Sequence, residues 1–234
     1  MKLANGERRI NIAMDGPVGA GKSSVADEVA RRLSILHLDT GAMYRAVGLA
    51  VLRANQDPAN EAEAVRVSDA AAIDVLYADG RQRTLLNGED VTDFLRTEEV
   101  SLAASAVAKW PAVRRRMVKR QQELAAAHDM LIDGRDIGTR VLPDAPVKIY
   151  LTADAAVRAE RRRLQLLAKG TDVPFEEVYR DLLARDDQDM HRETDPLRVA
   201  DGAIVVDSTE LTEEETVERI LSAVEACYGG AKTA

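Results

Sequence analysis

The sequence has little of what several classes of protein depend on. Cys227 is the only cysteine among 234 residues, so an internal disulfide is excluded and a reducing compartment, the cytoplasm, is expected. Aromatic residues make up 3%, too few for stacking platforms, and the net charge of −8 argues against a general nucleic-acid binder. No apolar run approaches a membrane span, and the opening MKLANGERRI has no apolar signal region. We expect a cytoplasmic monomer that binds neither nucleic acid nor membranes, and the scattered His37, His128 and His191 predict no transition-metal cluster.

The stretch GPVGAGKSS, residues 16–24, matches the phosphate-binding pattern G-x-x-x-x-G-K-[ST]. Its glycines let backbone amides approach an anion, Lys22 can reach the outer phosphates of a nucleotide, and the Ser23 hydroxyl can hold Mg²⁺. A turn without a ligand is the alternative, but the apolar run before the stretch and the helical pattern after it favour a nucleotide. The predicted nucleotide-binding residues are Gly16, Pro17, Val18, Gly19, Ala20, Gly21, Lys22, Ser23 and Ser24.

Strand and helix patterns alternate along the chain, which predicts an α/β fold with a parallel sheet covered on both faces. The predicted strands are 9–14, 35–38, 130–133, 147–152 and 203–207. The predicted helices are 22–33, 40–55 with Thr40 as N-cap, 61–72, 97–110, one from Pro111, 153–169, 174–190 and 212–228.

One segment has a different period. Residues 73–91 alternate apolar and polar side chains around the turn signals Asp79-Gly80 and Asn87-Gly88, which predicts a small antiparallel sheet. We therefore divide the chain into a core, 1–60 and 106–228, with a short lid at about 158–174, and an insertion, 61–105.

Arginine is abundant where open α/β sheets bind ligands, after strands and beside turn glycines. Its planar fork suits phosphate, and a phosphate acceptor needs arginines rather than a carboxylate base, which favours a nucleoside monophosphate as acceptor. The runs 114–116 and 161–163 are either solvated helix faces or have members that point inward. Asp39 and Asp133 both follow apolar strands, and either could hold a magnesium-bound water, cap a helix or orient an arginine.

Four segments carry a more specific signal. GPVGAGKSS, LDTGAMYRA, IDGRDIGTRVLPDAPVKIYL and ARDDQDMHRETDPL, in this order and spacing, resemble the bacterial cytidylate kinases over nearly the whole chain. The resemblance implies the P-loop nucleoside monophosphate kinase fold, with a small antiparallel sheet inserted in the monophosphate-binding part and a short lid. It also implies transfer of the γ-phosphoryl group of ATP to CMP or dCMP with Mg²⁺.

The resemblance further implies roles for individual residues. Ser105, Arg114 and Asp136 would read the cytosine ring, whose amino group an acid can accept, although Asp136 could instead only pair with an arginine. The residues implied to bind CMP are Thr40, Tyr44, Arg45, Ser105, Arg114, Asp133, Arg135, Asp136, Arg185, Asp189 and Arg192. The arginines implied to close over the phosphates are Arg158, Arg161 and Arg162. The implied catalytic residues are Lys22, Arg135, Arg158, Arg162 and Arg185.

Two other functions remain open from the residues alone. A P-loop kinase of a small alcohol would share the phosphate loop and the arginines, but the insertion and the RDDQDMHR segment argue against it. A nucleotide-dependent switch module would also keep the loop, but no N-K-x-D signature is present.

Overall fold

The computed structural model describes residues 9–78 and 80–228, which form two compact units. The first unit takes the chain up to Ile35 and from Asp129 onward, and the second runs from Leu36 to His128. Asp79, predicted in a turn, and residues 1–8, predicted not to form a signal peptide, lie outside the described residues. No helix within the described ranges is both long and apolar enough to span a bilayer.

Strands and helices alternate in the predicted order. The strands are β1 (Asn11–Asp15), β2 (Leu36–Asp39), β3 (Ile73–Ala78), β4 (Arg81–Leu86), β5 (Glu89–Asp90), β6 (Met130–Gly134), β7 (Val147–Thr152) and β8 (Ile204–Asp207). The helices are α1 (Lys22–Leu33), α2 (Thr40–Arg53), α3 (Glu61–Ala70), α4 (Glu98–Val107), α5 (Pro111–Ala127), α6 (Ala155–Ala168), α7 (Phe175–His191) and α8 (Glu213–Tyr228). Two short elements that the sequence did not predict are a 3₁₀ helix, Thr92–Arg96, and a π-helical turn, Ile137–Val141.

A parallel sheet organises the first unit. Its strands lie in the order β6-β1-β7-β8, and every described pairing among them is parallel. The central strands are apolar because helices cover such a sheet, and Ile12, Met14 and Ile149 are buried in a core shared with α1 and α8. This arrangement confirms the predicted α/β class and brings the carboxyl ends of β1 and β6 to the same edge.

Four helices and a small antiparallel sheet form the second unit. The sheet has the order β3-β4-β5, as predicted from the alternation in residues 73–91. Asn87 and Gly88 both have positive φ, which suits the tight turn between β4 and β5. Helices α2 and α4 pack closely at Gly48, where a Cβ atom would lie 2.8 Å from the backbone nitrogen of Ala104.

Some predicted details differ in the structure. The N-cap of α2 is Asp39, not Thr40, because the Asp39 carboxylate accepts a hydrogen bond of 3.0 Å from the Ala42 amide. Pro111 does begin α5, as predicted. Compactness places 36–60 and 106–128 with the second unit, whereas the functional division into core, insertion 61–105 and lid stays a prediction.

Candidate active site

The phosphate loop joins β1 to α1 at the carboxyl edge of the first unit's sheet. Its first glycine is required by space, since a Cβ on Gly16 would lie 1.9 Å from the carbonyl oxygen of Leu151 in β7. The loop leads directly into α1, which begins at Lys22, so backbone amides gather at a helix N-terminus. Such an arrangement binds phosphate groups through hydrogen bonds and the helix dipole.

Lys22 is turned back onto its own loop. Its Nζ donates hydrogen bonds to the carbonyl oxygens of Gly16 and Pro17, at 2.8 and 2.7 Å, and its side chain is buried. Burial, together with the nearby charge of Arg135, lowers the pKa of Lys22 to about 7. The amine therefore lies within the phosphate loop, where an anionic phosphate would favour its charged form.

Ser23 and Asp133 meet across the first unit. The Ser23 hydroxyl donates a hydrogen bond of 3.0 Å to the buried Asp133 carboxylate at the end of β6. A hydroxyl and a carboxylate are the hard oxygen donors that Mg²⁺ prefers, so these residues fit the expected metal. Asp39, the other candidate, instead caps α2 and accepts a 2.7 Å hydrogen bond from Arg45.

A cluster of paired charges follows the carboxyl end of β6. Arg135 Nε donates to Asp189 at 2.7 Å, and Arg192 lies 3.6 Å from Asp189 and 3.7 Å from Asp136. Burial acts to raise the pKa of Asp189, but Arg135 and Arg192 outweigh it and hold that pKa below its usual value. The structure thus brings together four predicted CMP-binding residues, and Arg185 lies one helical turn before Asp189 on α7.

The predicted lid arginines have different positions. Arg158 is buried, donates to the Val18 and Ala153 carbonyls at 2.9 Å each, and forms a 2.6 Å ion pair with Asp186 on α7. Arg161 donates to the Ser208 carbonyl and hydroxyl, at 2.7 and 3.0 Å. Arg158 therefore contacts the phosphate loop directly. The arginines of the run 161–163 are partly buried, so this run is not a fully solvated helix face. The half-buried Arg162 keeps its predicted role as a prediction.

The second unit holds the remaining predicted residues. Arg114 is 1% exposed, and its guanidinium carbon lies 5.6 Å from the centre of the Tyr44 ring. The first member of the run 114–116 therefore points inward, whereas Arg115 is exposed. Thr40 is buried in the first turn of α2, and Ser105 is half-buried on α4. The structure thus places two of the predicted CMP-binding residues, Arg114 and Tyr44, against each other.

One residue in the first unit was not predicted. Asp15, the last residue of β1, accepts hydrogen bonds of 2.7 Å from the amides of Ile137 and of Gly138. Burial raises the pKa of Asp15 to about 6, because its effect is larger than the opposite effect of the two amide hydrogen bonds. An acid at the end of a buried strand, just before a phosphate loop, was the available sequence signal.

Comparisons with known proteins show which family this chain belongs to over nearly its whole length. The model of the cytidylate kinase family matches residues 12–226. Cytidylate kinase of Caldicellulosiruptor bescii is 50% identical over 214 residues, 92% of this chain and 95% of the relative. That of Caldicellulosiruptor saccharolyticus is 50% identical over 215 residues, with the same shares covered. That of Bacillus cereus is 45% identical over 222 residues, 95% of this chain and 99% of the relative.

Proposed function

We propose that this chain, which belongs to the cytidylate kinase family, transfers the γ-phosphoryl group of ATP to CMP or dCMP. The observation that carries the proposal is the family match, which extends over nearly the whole length of the relatives. The phosphate loop, with Lys22 in it and the Ser23–Asp133 pair beside it, supplies the donor side that this reaction requires.

On the donor side, the loop amides hold the phosphates of ATP. Lys22 exchanges the carbonyls of Gly16 and Pro17 for phosphate oxygens and stabilises the charge that moves with the phosphoryl group. Ser23, oriented by Asp133, would hold Mg²⁺, which neutralises charge on the phosphate oxygens when it is bound.

On the acceptor side, the positive charges offset repulsion between two anions. Arg45 and Arg135 hold the CMP phosphate in line with the γ-phosphate, near Thr40 and Tyr44, so no general base is needed. Asp136 accepts a hydrogen bond from the cytosine amino group, with Arg114 and Ser105 on the other polar atoms of the ring. Arg185 and Asp189 contact the ribose, with Arg192 nearby. The ion pairs of Asp136 and Asp189 with Arg192 support this assignment, because they bring both carboxylates into one cluster with Arg135.

Release of ADP tests the proposal, with ATP, Mg²⁺ and one acceptor at a time: CMP, dCMP, UMP, AMP, GMP or shikimate. Fast turnover with CMP and dCMP, weak turnover with UMP and none with the others is expected, because uracil carries a carbonyl where cytosine carries its amino group. Fast turnover with shikimate would instead establish a small-alcohol kinase. No acceleration by any acceptor would overturn the kinase proposal and favour a switch module.

Lys22→Ala provides the matched test of the loop. It should lower kcat by about 100-fold or more with normal thermal unfolding, because it removes a charge that acts on the transferring group. Lys109→Ala, at an exposed position between α4 and α5, should leave kcat unchanged. A near-normal kcat for Lys22→Ala would remove this lysine from the mechanism.

A further inference from the structure

Asp15 connects two parts of the first unit that the sheet does not hold together. The β1–β6 pairing ends at Asp15 and Gly134, so no ladder hydrogen bond fixes the chain beyond Gly134. The next residues are Arg135 and Asp136, followed by the π-helical turn. The Asp15 carboxylate binds the chain beyond the end of the ladder. Each of its oxygens accepts a hydrogen bond of 2.7 Å from one of the first two amides of that turn.

A carboxylate is the side chain that fits these two donors. The first amides of a helical turn have no partner within the turn, and two successive N–H groups need two acceptor atoms. An asparagine would offer one oxygen, and its NH₂ group would face the second N–H group. The side chain of Asp15 is 3% exposed, so water does not replace a missing acceptor easily.

The surroundings of Asp15 make the charged form of its carboxylate unfavourable. The titratable groups that face it are Lys22 of the phosphate loop, Asp136 of the turn and Tyr150 of β7. Burial raises its pKa to about 6, so it is an anion at neutral pH and is neutral in mild acid. A buried acid kept charged beside a binding site is the arrangement that functional positions show.

We propose that Asp15 is a positioning residue for the acceptor side of the reaction. By holding the amides of Ile137 and Gly138, it fixes Arg135 and Asp136 relative to the phosphate loop that begins one residue after it. The inference rests on the proposed function, in which Arg135 holds the CMP phosphate and Asp136 reads the base. Asp15 itself touches no reacting atom in this role.

The test compares Asp15→Asn with Asp129→Asn. The Asp129 carboxylate accepts a 3.0 Å hydrogen bond from the Ile10 amide, so it makes the same kind of contact at the opposite end of β1. Asp15→Asn should lower kcat/KM for CMP by about 10- to 100-fold and narrow the preference for CMP over UMP. Its KM for ATP should change less than about threefold. Asp129→Asn should leave all three quantities unchanged.

A pH profile separates positioning from general damage. For the wild type, kcat/KM for CMP relative to that of Asp15→Asn should be largest above pH 7 and approach unity near pH 5, because Asp15 becomes neutral there. The CMP phosphate also titrates near pH 6, but it does so equally for both proteins and cancels in the ratio. A ratio that stays constant with pH would overturn the inference.

Other outcomes are equally decisive. The inference would be overturned if Asp15→Asn impaired the kinetics for ATP as much as those for CMP, or if its kinetics with CMP equalled those of Asp129→Asn. In either case, normal turnover of CMP by the wild type would still uphold the proposed function. If Asp15→Asn does not fold, Gly138→Ala replaces it, since its Cβ would lie 3.3 Å from the Asp15 carboxylate and 3.0 Å from Ala200. Gly138→Ala should likewise lower kcat/KM for CMP and leave the KM for ATP nearly unchanged. A wild type inactive with CMP would overturn both proposals.

Discussion

The ion pair between Arg158 and Asp186 gives the sharpest prediction about stability. Both side chains are nearly inaccessible, at 7% and 5% exposure, and their closest atoms are 2.6 Å apart. Arg158 also donates to the carbonyl of Val18 in the phosphate loop and to that of Ala153 before α6. One guanidinium therefore joins α6, α7 and the phosphate loop.

Removal of either partner leaves the other charge buried and unpaired. Arg158→Met or Asp186→Leu should each cost about 3–5 kcal/mol of unfolding free energy. For a chain of this size, that cost corresponds to a fall in Tm of about 6–20 °C. The double variant should recover much of the loss, because an apolar pair of similar volume often replaces a buried ion pair without penalty.

Differential scanning calorimetry measures these changes, with Glu160→Gln as the control. Glu160 pairs with Arg163 on the same helix at 2.7 Å, but these side chains are 43% and 28% exposed. Breaking an exposed pair should move Tm by less than about 2 °C. A Tm for Arg158→Met no lower than that for Glu160→Gln, or a double variant as unstable as the singles, would refute the reasoning.

Activity of the double variant distinguishes two roles of Arg158. If Arg158 only anchors the loop, a double variant that regains stability should regain turnover. If it contacts phosphate during the reaction, as the family resemblance implies, the double variant should be stable but slow.

Three further outcomes are expected. Gly48→Ala should cost about 1–3 kcal/mol in denaturant titrations, because its Cβ would press on the backbone of α4, and an unchanged midpoint would contradict that packing. The free energy of unfolding of the wild type relative to Asp15→Asn should fall by about 2 kcal/mol between pH 4 and pH 7. The folded pKa of Asp15, about 6, exceeds the unfolded value of 3.8, so the unfolded chain loses its proton first as the pH rises. A difference that does not change with pH would contradict the raised pKa. Arg116→Met should lower the free energy of unfolding by about 1–3 kcal/mol, because Arg116 donates hydrogen bonds to the carbonyls of Ser68 and Ala71 at the end of α3. Arg115 is exposed, so Arg115→Met should have no such effect, and equal effects of the two variants would refute this reasoning.

The helices and strands were predicted well because the residue patterns that specify them are local in the sequence. A run of apolar residues before a glycine loop and a 3.6-residue period after it specify β1 and α1 within about 25 residues. The N-cap of α2 was less certain, since Asp39 and Thr40 can both cap a helix and adjacent positions differ only in backbone geometry. The residues alone did not decide which arginine of the run 114–116 faces the interior, whereas the family resemblance singled out Arg114, which is buried.

The site was predicted as a set of residues, not as a set of contacts. Asp133 was one of two equivalent acids until the fold placed it against Ser23, 110 positions away in the chain. Asp15 was missed because its partners are backbone amides, which leave no trace in the side-chain pattern. Contacts of this kind depend on where the chain turns, and the π-helical turn that supplies the amides has no residue signature of its own.

The two hydrogen bonds that Lys22 donates to carbonyls of its own loop reduce the free energy that an anion gains on binding there. Any anion that enters must compete with two internal acceptors for the same amine, so a ligand gains only the difference between the old contacts and the new. A small ion such as inorganic phosphate makes few contacts and gains little, whereas a triphosphate chain engages the loop at several points together. Under the proposed function, these two hydrogen bonds would therefore favour the binding of a polyphosphate over that of a single inorganic phosphate.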